Sequence, residues 1–203
     1  MESYLDFDVL AKDNARTLKV PVPSFRNPAV VILVGLPVSG KTTLSRRLAE
    51  KFPLTVLSEE DMSAFLSPRA TIFQRNSPEV FQLALKTIEL LVRMGKACIY
   101  DANVKTREQR RLIRQVVEQT GGVYTLIHLN CSKEGCYKRL RKHNLAVERG
   151  EAKGFILNKD LFEFEATSTD LPTTEEAHLV YNSEDPEFIY QILPQLEKII
   201  NGR

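Results

Sequence analysis

Eight consecutive residues, Gly35-Leu36-Pro37-Val38-Ser39-Gly40-Lys41-Thr42, carry the sharpest chemical signal in the chain. They fit G-x-x-x-x-G-K-[ST] without a gap, the P-loop or Walker A pattern. Gly35 and Gly40 let the backbone turn around an anion where a Cβ would obstruct it. Successive N–H groups then point inward as a nest for a β-phosphate, and the helix that starts near Lys41 adds its positive end. Lys41 can bridge β- and γ-phosphates, and the Thr42 hydroxyl can hold Mg²⁺. The expected nucleotide-binding set is therefore Gly35, Pro37, Val38, Ser39, Gly40, Lys41, Thr42 and Thr43, with ATP and Mg²⁺ as the implied ligands. No N-K-x-D guanine-reading motif is present, which weighs against a GTPase. The length leaves no room for a helicase or motor core and allows a small kinase.

The elements that must hold this cradle are legible around it. Ala29 to Val34 is a continuous, mostly β-branched run that reads as a fully buried strand. Leu44, Leu48 and Phe52 fall on one stripe of the following helix. Further strands are expected at Leu54–Leu57, Ala97–Tyr100, Val123–Leu129 and Ala177–Tyr181. Helices are expected over Phe81–Met94, Thr106–Gln119, Lys133–His143 and Pro186–Ile200. Strands alternating with helices predict an α/β fold of three layers around a mostly parallel sheet of about five strands. Residues 1–28 read as an N-terminal appendage, because Val20-Pro21-Val22-Pro23-Ser24 disfavours a helix. Residues 29–203 then form the nucleotide-binding domain, with a lid around 133–165 and a mobile stretch from Asn144 to Glu165.

Composition supports a folded, non-membrane chain. Of 203 residues 43% are hydrophobic and 27% charged, and no apolar run approaches a membrane span. The start, Met1-Glu2-Ser3-Tyr4-Leu5-Asp6, is acidic where a secretory signal is basic. Three cysteines, Cys98, Cys131 and Cys136, cannot all pair with one another, so a reducing cytoplasm is expected. Net charge is only +2, but it is unevenly spread. Lys105 to Gly150 holds eleven Lys/Arg against four acids, and Glu151 to Arg203 holds four against eleven. Either these are solvated helical faces, or the basic stretch meets phosphate, nucleotide or nucleic acid.

The stretch Val34 to Glu50 resembles the start of the P-loop kinases related to phage polynucleotide kinase, often called AAA-type kinases. Zeta toxins and chloramphenicol phosphotransferases are more distant relatives. The run from Asp101 through Asn103 to Arg110 is similar to that group's D-x-[TN]-N-x-x-x-x-x-R element, with Val104 where Asn is usual. Phe164-Glu165 with Pro172 to Glu176 resembles its F-E-x-P-x-x-x-E ending, with an insertion. The resemblance covers about residues 29 to 182. It implies transfer of the γ-phosphoryl group of ATP to a hydroxyl, on a nucleic-acid 5′ end or a nucleoside-like molecule. A sugar or antibiotic kinase and a nucleotide-gated ATPase module are the alternatives.

The resemblance also assigns roles. The group carries S-x-D-x-x-R or D-D-x-x-R after its second strand, the Asp acting as base. Here the run is Ser58-Glu59-Glu60-Asp61-Met62-Ser63-Ala64, so Glu60 or Asp61 fills that place. Asp61 is favoured by residue type, and helix-terminal acids are the alternative. The Arg that should follow is missing, and Arg69 or Arg75 would have to replace it. Asp101, at the end of a strand, is expected to hold Mg²⁺ through water as a Walker-B-like Asp, with Thr42 as the other metal residue; an Asp capping the helix that follows is the alternative. The group's lid carries R-x-x-x-R; here Arg139 is followed by His143. Arg139 is the expected catalytic lid residue and Arg141 an expected phosphate contact, with Arg149 in reserve. His128 and His178 read as core or edge residues.

Overall fold

The computed structural model describes residues 5–67, 77–151, 156–176 and 178–202. Strand β1 (Ala29–Val34) is buried along its whole length. Such a strand needs a neighbour on each edge and a layer on each face. It pairs in parallel with β3 (Cys98–Asp101) on one side and β4 (Val123–Asn130) on the other. Strand β2 (Thr55–Ser58) adds to β3, and β5 (Leu179–Asn182) adds to β4. The sheet order is β2-β3-β1-β4-β5, parallel throughout, as the strand-helix alternation predicted.

Alternation along β1 divides the core in two. Val30, Ile32 and Val34 face helices α4 (Pro78–Arg93) and α5 (Arg107–Gln119), meeting Leu83, Ile88 and Ile113. Ala29, Val31 and Leu33 face α2 (Lys41–Lys51) and α8 (Ile189–Asn201), meeting Leu44, Leu48 and Leu196. Helix α3 (Glu59–Leu66) follows β2 directly. Helices α6 (Lys133–Glu148) and α7 (Lys159–Thr167) build a small third core from Cys131, Cys136, Leu140 and Phe162. That core reaches Leu36 and Val38 of the glycine loop.

Two segments gain detail. The segment 1–28 contains a helix, α1 (Phe7–Thr17), N-capped by Asp6. Its Ala11 is buried in the core on the α4 side, and Asp8 pairs with Lys86 at 2.9 Å. The proline strap after it is held by Lys96, whose ammonium donates to the carbonyls of Pro21, Val22 and Pro23 and to the Ser24 hydroxyl at 2.8–3.3 Å. Among the described residues of 144–165, α6 runs on to Glu148 and α7 begins at Lys159 and ends at Thr167. Asn144 closes this excursion by exchanging two hydrogen bonds with the Leu157 backbone, 2.7 and 3.1 Å.

Candidate functional site

The glycine loop leaves the carboxyl end of β1 and turns into α2. A Cβ on Gly35 would lie 2.8 Å from the Leu129 carbonyl oxygen and 2.8 Å from Ser39 Oγ, so only glycine fits. Gly40 has φ +104° and stands as the N-cap of α2. Val38 is β-branched yet sits at φ 53°, a strained left-handed conformation. The Lys41 ammonium donates to the carbonyls of Gly35 at 2.9 Å and Leu36 at 3.1 Å. Burial pulls its pKa down to about 8, opposed by the nearby carboxylates of Asp101 and Glu59.

A cavity of about 740 Å³ opens above this loop. Val38, Ser39, Gly40, Lys41, Thr42 and Thr43 line its floor. Gly35 and Pro37 do not line it; their part is the shape of the turn. Arg139 of α6 borders it, donating to the carbonyls of Ser39 and Ser183 and to Ser183 Oγ at 3.1 Å. Lys142, His143 and Ala146 share that wall, and Tyr181, Ser183 and Pro186 close the far end.

Arg141 stands elsewhere, contrary to expectation. It lines a separate cavity of about 350 Å³ with Tyr137, Leu140, Asn144, Leu157 and Lys159. The reason is helical geometry: 3.6 residues per turn set residues two apart on opposite faces. Positions 139, 142, 143 and 146 share one face, and 141 cannot join them. Arg149, the C-cap of α6, lines neither cavity.

On the other side of Lys41 and Thr42 lies a cavity of about 310 Å³, lined by Arg46, Ser58, Glu59, Glu60, Asp61, Asp101 and Asn103 among others. Thr42 Oγ1 donates to Asp101 Oδ1 at 3.1 Å, joining the two expected Mg²⁺ ligands. Burial pushes Asp101 upward, opposed by the Thr42 hydrogen bond and Lys41. Three acids occupy the first turn of α3, whose N-cap Ser58 accepts from the Asp61 N–H at 3.3 Å. Glu60 and Asp61 both border the cavity. Glu59, which the sequence reading did not select, is the most enclosed of the three. Its carboxylate accepts the Asn103 N–H at 3.1 Å, and burial raises its pKa to about 7. Ser58 held the clue, since an N-cap there makes Glu59 the first helical residue. Arg46, one turn after Thr42, was missed as well. Arg69 and Arg75 lie outside the described residues.

The remaining motif residues tie the site together. Glu165 pairs with Lys105 at 2.6 Å and accepts from Asn103 Nδ2 at 3.2 Å, fastening α7 to the loop after β3. Arg110, 2% exposed, binds both Glu176 oxygens at 2.8 and 2.7 Å and the Asp170 carbonyl at 2.7 Å. The basic run from Lys105 is largely neutralised. Seven of its eleven cations, Lys105, Arg107, Arg110, Arg111, Arg114, Lys133 and Lys138, are in ion pairs. His128 and His178 meet edge to face at the sheet and line neither cavity.

The sequence pattern of the AAA domain matches residues 30–158, from β1 to the residue before α7. The chain belongs to the AAA domain family. It is 31% identical over 128 residues to 6-phosphofructo-2-kinase/fructose-2,6-bisphosphatase 1 of Rattus norvegicus, a match covering 55% of this chain and 27% of that protein. The chain thus spans about a quarter of the length of the curated relatives it matches. Among solved structures, this AAA domain is similar to a sugar kinase from Janibacter sp. HTCC2649 (TM-score 0.62, 17% identity, 86% of this chain and 97% of that one). It is also similar to Chaetomium thermophilum Kti12 in complex with ADP-AlF3 (TM-score 0.60, 16% identity, 84% and 98%). At those identities the shared property is the fold, a P-loop kinase fold. Among the described residues of the AAA domain no helix is long and apolar enough to cross a membrane, and no group of three His, Cys, Asp or Glu could hold a metal ion.

Proposed function

We propose that this AAA domain is an ATP-dependent phosphotransferase that moves the γ-phosphoryl group to a hydroxyl acceptor. One observation carries the reading: two cavities, one over the glycine loop and one lined by carboxylates, meet at Lys41 and Thr42. A kinase needs this arrangement, with donor and acceptor on opposite sides of the moving group. ATP would lie with its phosphates on the loop and its nucleoside toward Tyr181, Ser183 and Pro186. The bond from γ-phosphorus to the β-bridging oxygen breaks and a bond to the acceptor oxygen forms. The acceptor proton passes to a carboxylate, for which we assign Asp61, and ADP leaves. Lys41 and Arg139 offset charge on the transferring oxygens. Thr42 and Asp101 present hard oxygen donors side by side, which would suit Mg²⁺. Mg²⁺ bound there would supply charge neutralisation on the phosphates.

The resemblance to the polynucleotide kinase group and the 6-phosphofructo-2-kinase match support the same reaction class. Three free, buried thiols support a cytoplasmic setting. A second reading, a nucleotide-gated ATPase module, is favoured by Val104, a core residue where the resembling kinases carry a polar Asn. Incubation with γ-labelled ATP, Mg²⁺ and a mixed pool of hydroxyl compounds separates the two. The kinase reading expects label in an organic product and none with Lys41→Ala. Label appearing only as inorganic phosphate refutes it and supports the module.

A further inference from the structure

Resting on the phosphotransferase reading, we infer that the acceptor is a small polyhydroxyl compound that is neutral or cationic, and not an anion or a nucleic-acid end. With Lys41 given to ATP and Thr42 and Asp101 to the metal, the remaining charged wall of the acceptor cavity among the described residues is Glu60 and Asp61 against Arg46, with the more buried Glu59 beside them. Arg46 and Glu60 both also border the nucleotide cavity, which leaves Asp61 as the one of the three that faces the acceptor side alone. Ionised carboxylates only accept hydrogen bonds. They reward hydroxyl and ammonium donors, and they repel a carboxylate or phosphate brought beside them. The uncharged wall, Ser58, Asn103, Val56 and Ala102, is what a sugar-like molecule with polar edges and apolar faces would meet.

Size points the same way. About 310 Å³ is at the low end of small-molecule sites, roughly 300–1,000 Å³. A polynucleotide would also need a basic track along its phosphates. Much of the basic stretch that could have formed one is paired with acids: Arg107 with Glu175, Arg111 with Glu108, Arg114 with Glu118, Lys133 with Glu163 and Lys138 with Glu134.

The test is a matched acceptor series with γ-labelled ATP: glucose and related polyols, glucosamine and other amino sugars, gluconate and other sugar acids, and a 5′-hydroxyl oligonucleotide. kcat/KM is measured for each. The neutral and amino members should exceed their matched acids by at least about tenfold, as like-charge exclusion requires, and the oligonucleotide should take no label. In Glu60→Lys the ratio between matched acids and amino sugars should shift toward the acids. The ratio cancels any change on the ATP side. A sugar acid or the oligonucleotide as best acceptor overturns the inference while leaving the kinase reading intact, and Arg69→Ala and Arg75→Ala would then show whether those residues supply the missing charge. An unchanged ratio in Glu60→Lys also overturns it. Label released only as inorganic phosphate with every acceptor removes the kinase reading and this inference with it.

Discussion

Replacing Glu176 by Gln keeps the shape of the group that Arg110 grips and deletes its charge. Arg110 is 2% exposed and its partner's side chain 16%, so water cannot take over. Two unit charges about 4 Å apart attract by about 4 kcal/mol at an effective dielectric near 20. A Gln amide oxygen retains one ordinary hydrogen bond, about 1 kcal/mol. The expected loss is therefore about 3 kcal/mol, within the range for removing one partner of a buried pair. For a domain of this size that lowers Tm by about 6–12 °C. Urea unfolding of both proteins at pH 7 measures it. The sign with pH is fixed too. Hydrogen bonds from Arg110 hold the Glu176 carboxyl below its ordinary 4.5. A depressed folded value contributes stability above the unfolded pKa and loses it as pH falls through the folded one. The gap between wild type and variant should be full above about pH 5 and close in the acid range below 4.5. A cost under about 1 kcal/mol at pH 7, the level of an exposed pair, or a gap that persists in acid, refutes the reasoning.

Three other outcomes follow from the site. Arg139→Ala should weaken ATP binding on the order of tenfold, one charge-assisted contact, while Arg141→Ala leaves it unchanged; titration calorimetry decides, and equal effects would mean the two faces of α6 are misassigned. Asp61→Asn should cut transfer by roughly 10²–10⁴-fold with ATP affinity near wild type. The same loss in Glu59→Gln, with Asp61→Asn active, would move the proton acceptor to Glu59. Thr42→Val should raise the Mg²⁺ concentration needed for half-maximal turnover; an unaltered requirement would detach Thr42 from the metal.

What could be read from sequence was what is local. The β1–glycine loop–α2 unit is one contiguous stretch whose residue types dictate strand, turn and helix in order. Lys41, Thr42 and Asp101 came together because strand ends in a parallel sheet share an edge. What escaped depends on distant partners. Helix α1 fully buries only Ala11 and Asn14, with Phe7 and Leu10 partly covered, too thin a stripe to see without α4 beneath it. Helix α7 buries only Phe162 and Ala166, and is held by Lys105, Lys133 and Tyr137 reaching Glu165 and Glu163 from elsewhere. Three adjacent acids look alike on paper; the Ser58 N-cap sets Glu59 apart as the first helical residue, and the loop carrying Asn103 encloses it. Arg141 lines a different cavity from Arg139 for a reason legible in the sequence, the spacing of residues around α6.

The tie of Glu165 to Lys105 and Asn103 has a bearing on how such chains can diverge. All three side chains share one partly buried spot, so a change at any one strands a charge or an amide that water cannot fully serve. Drift at these positions is therefore expected to be concerted. Lineages should keep the trio intact or exchange its members together, as coupled substitutions sixty residues apart in the chain, whereas Arg141 and Arg149, which form no ion pair among the described residues, should vary more freely.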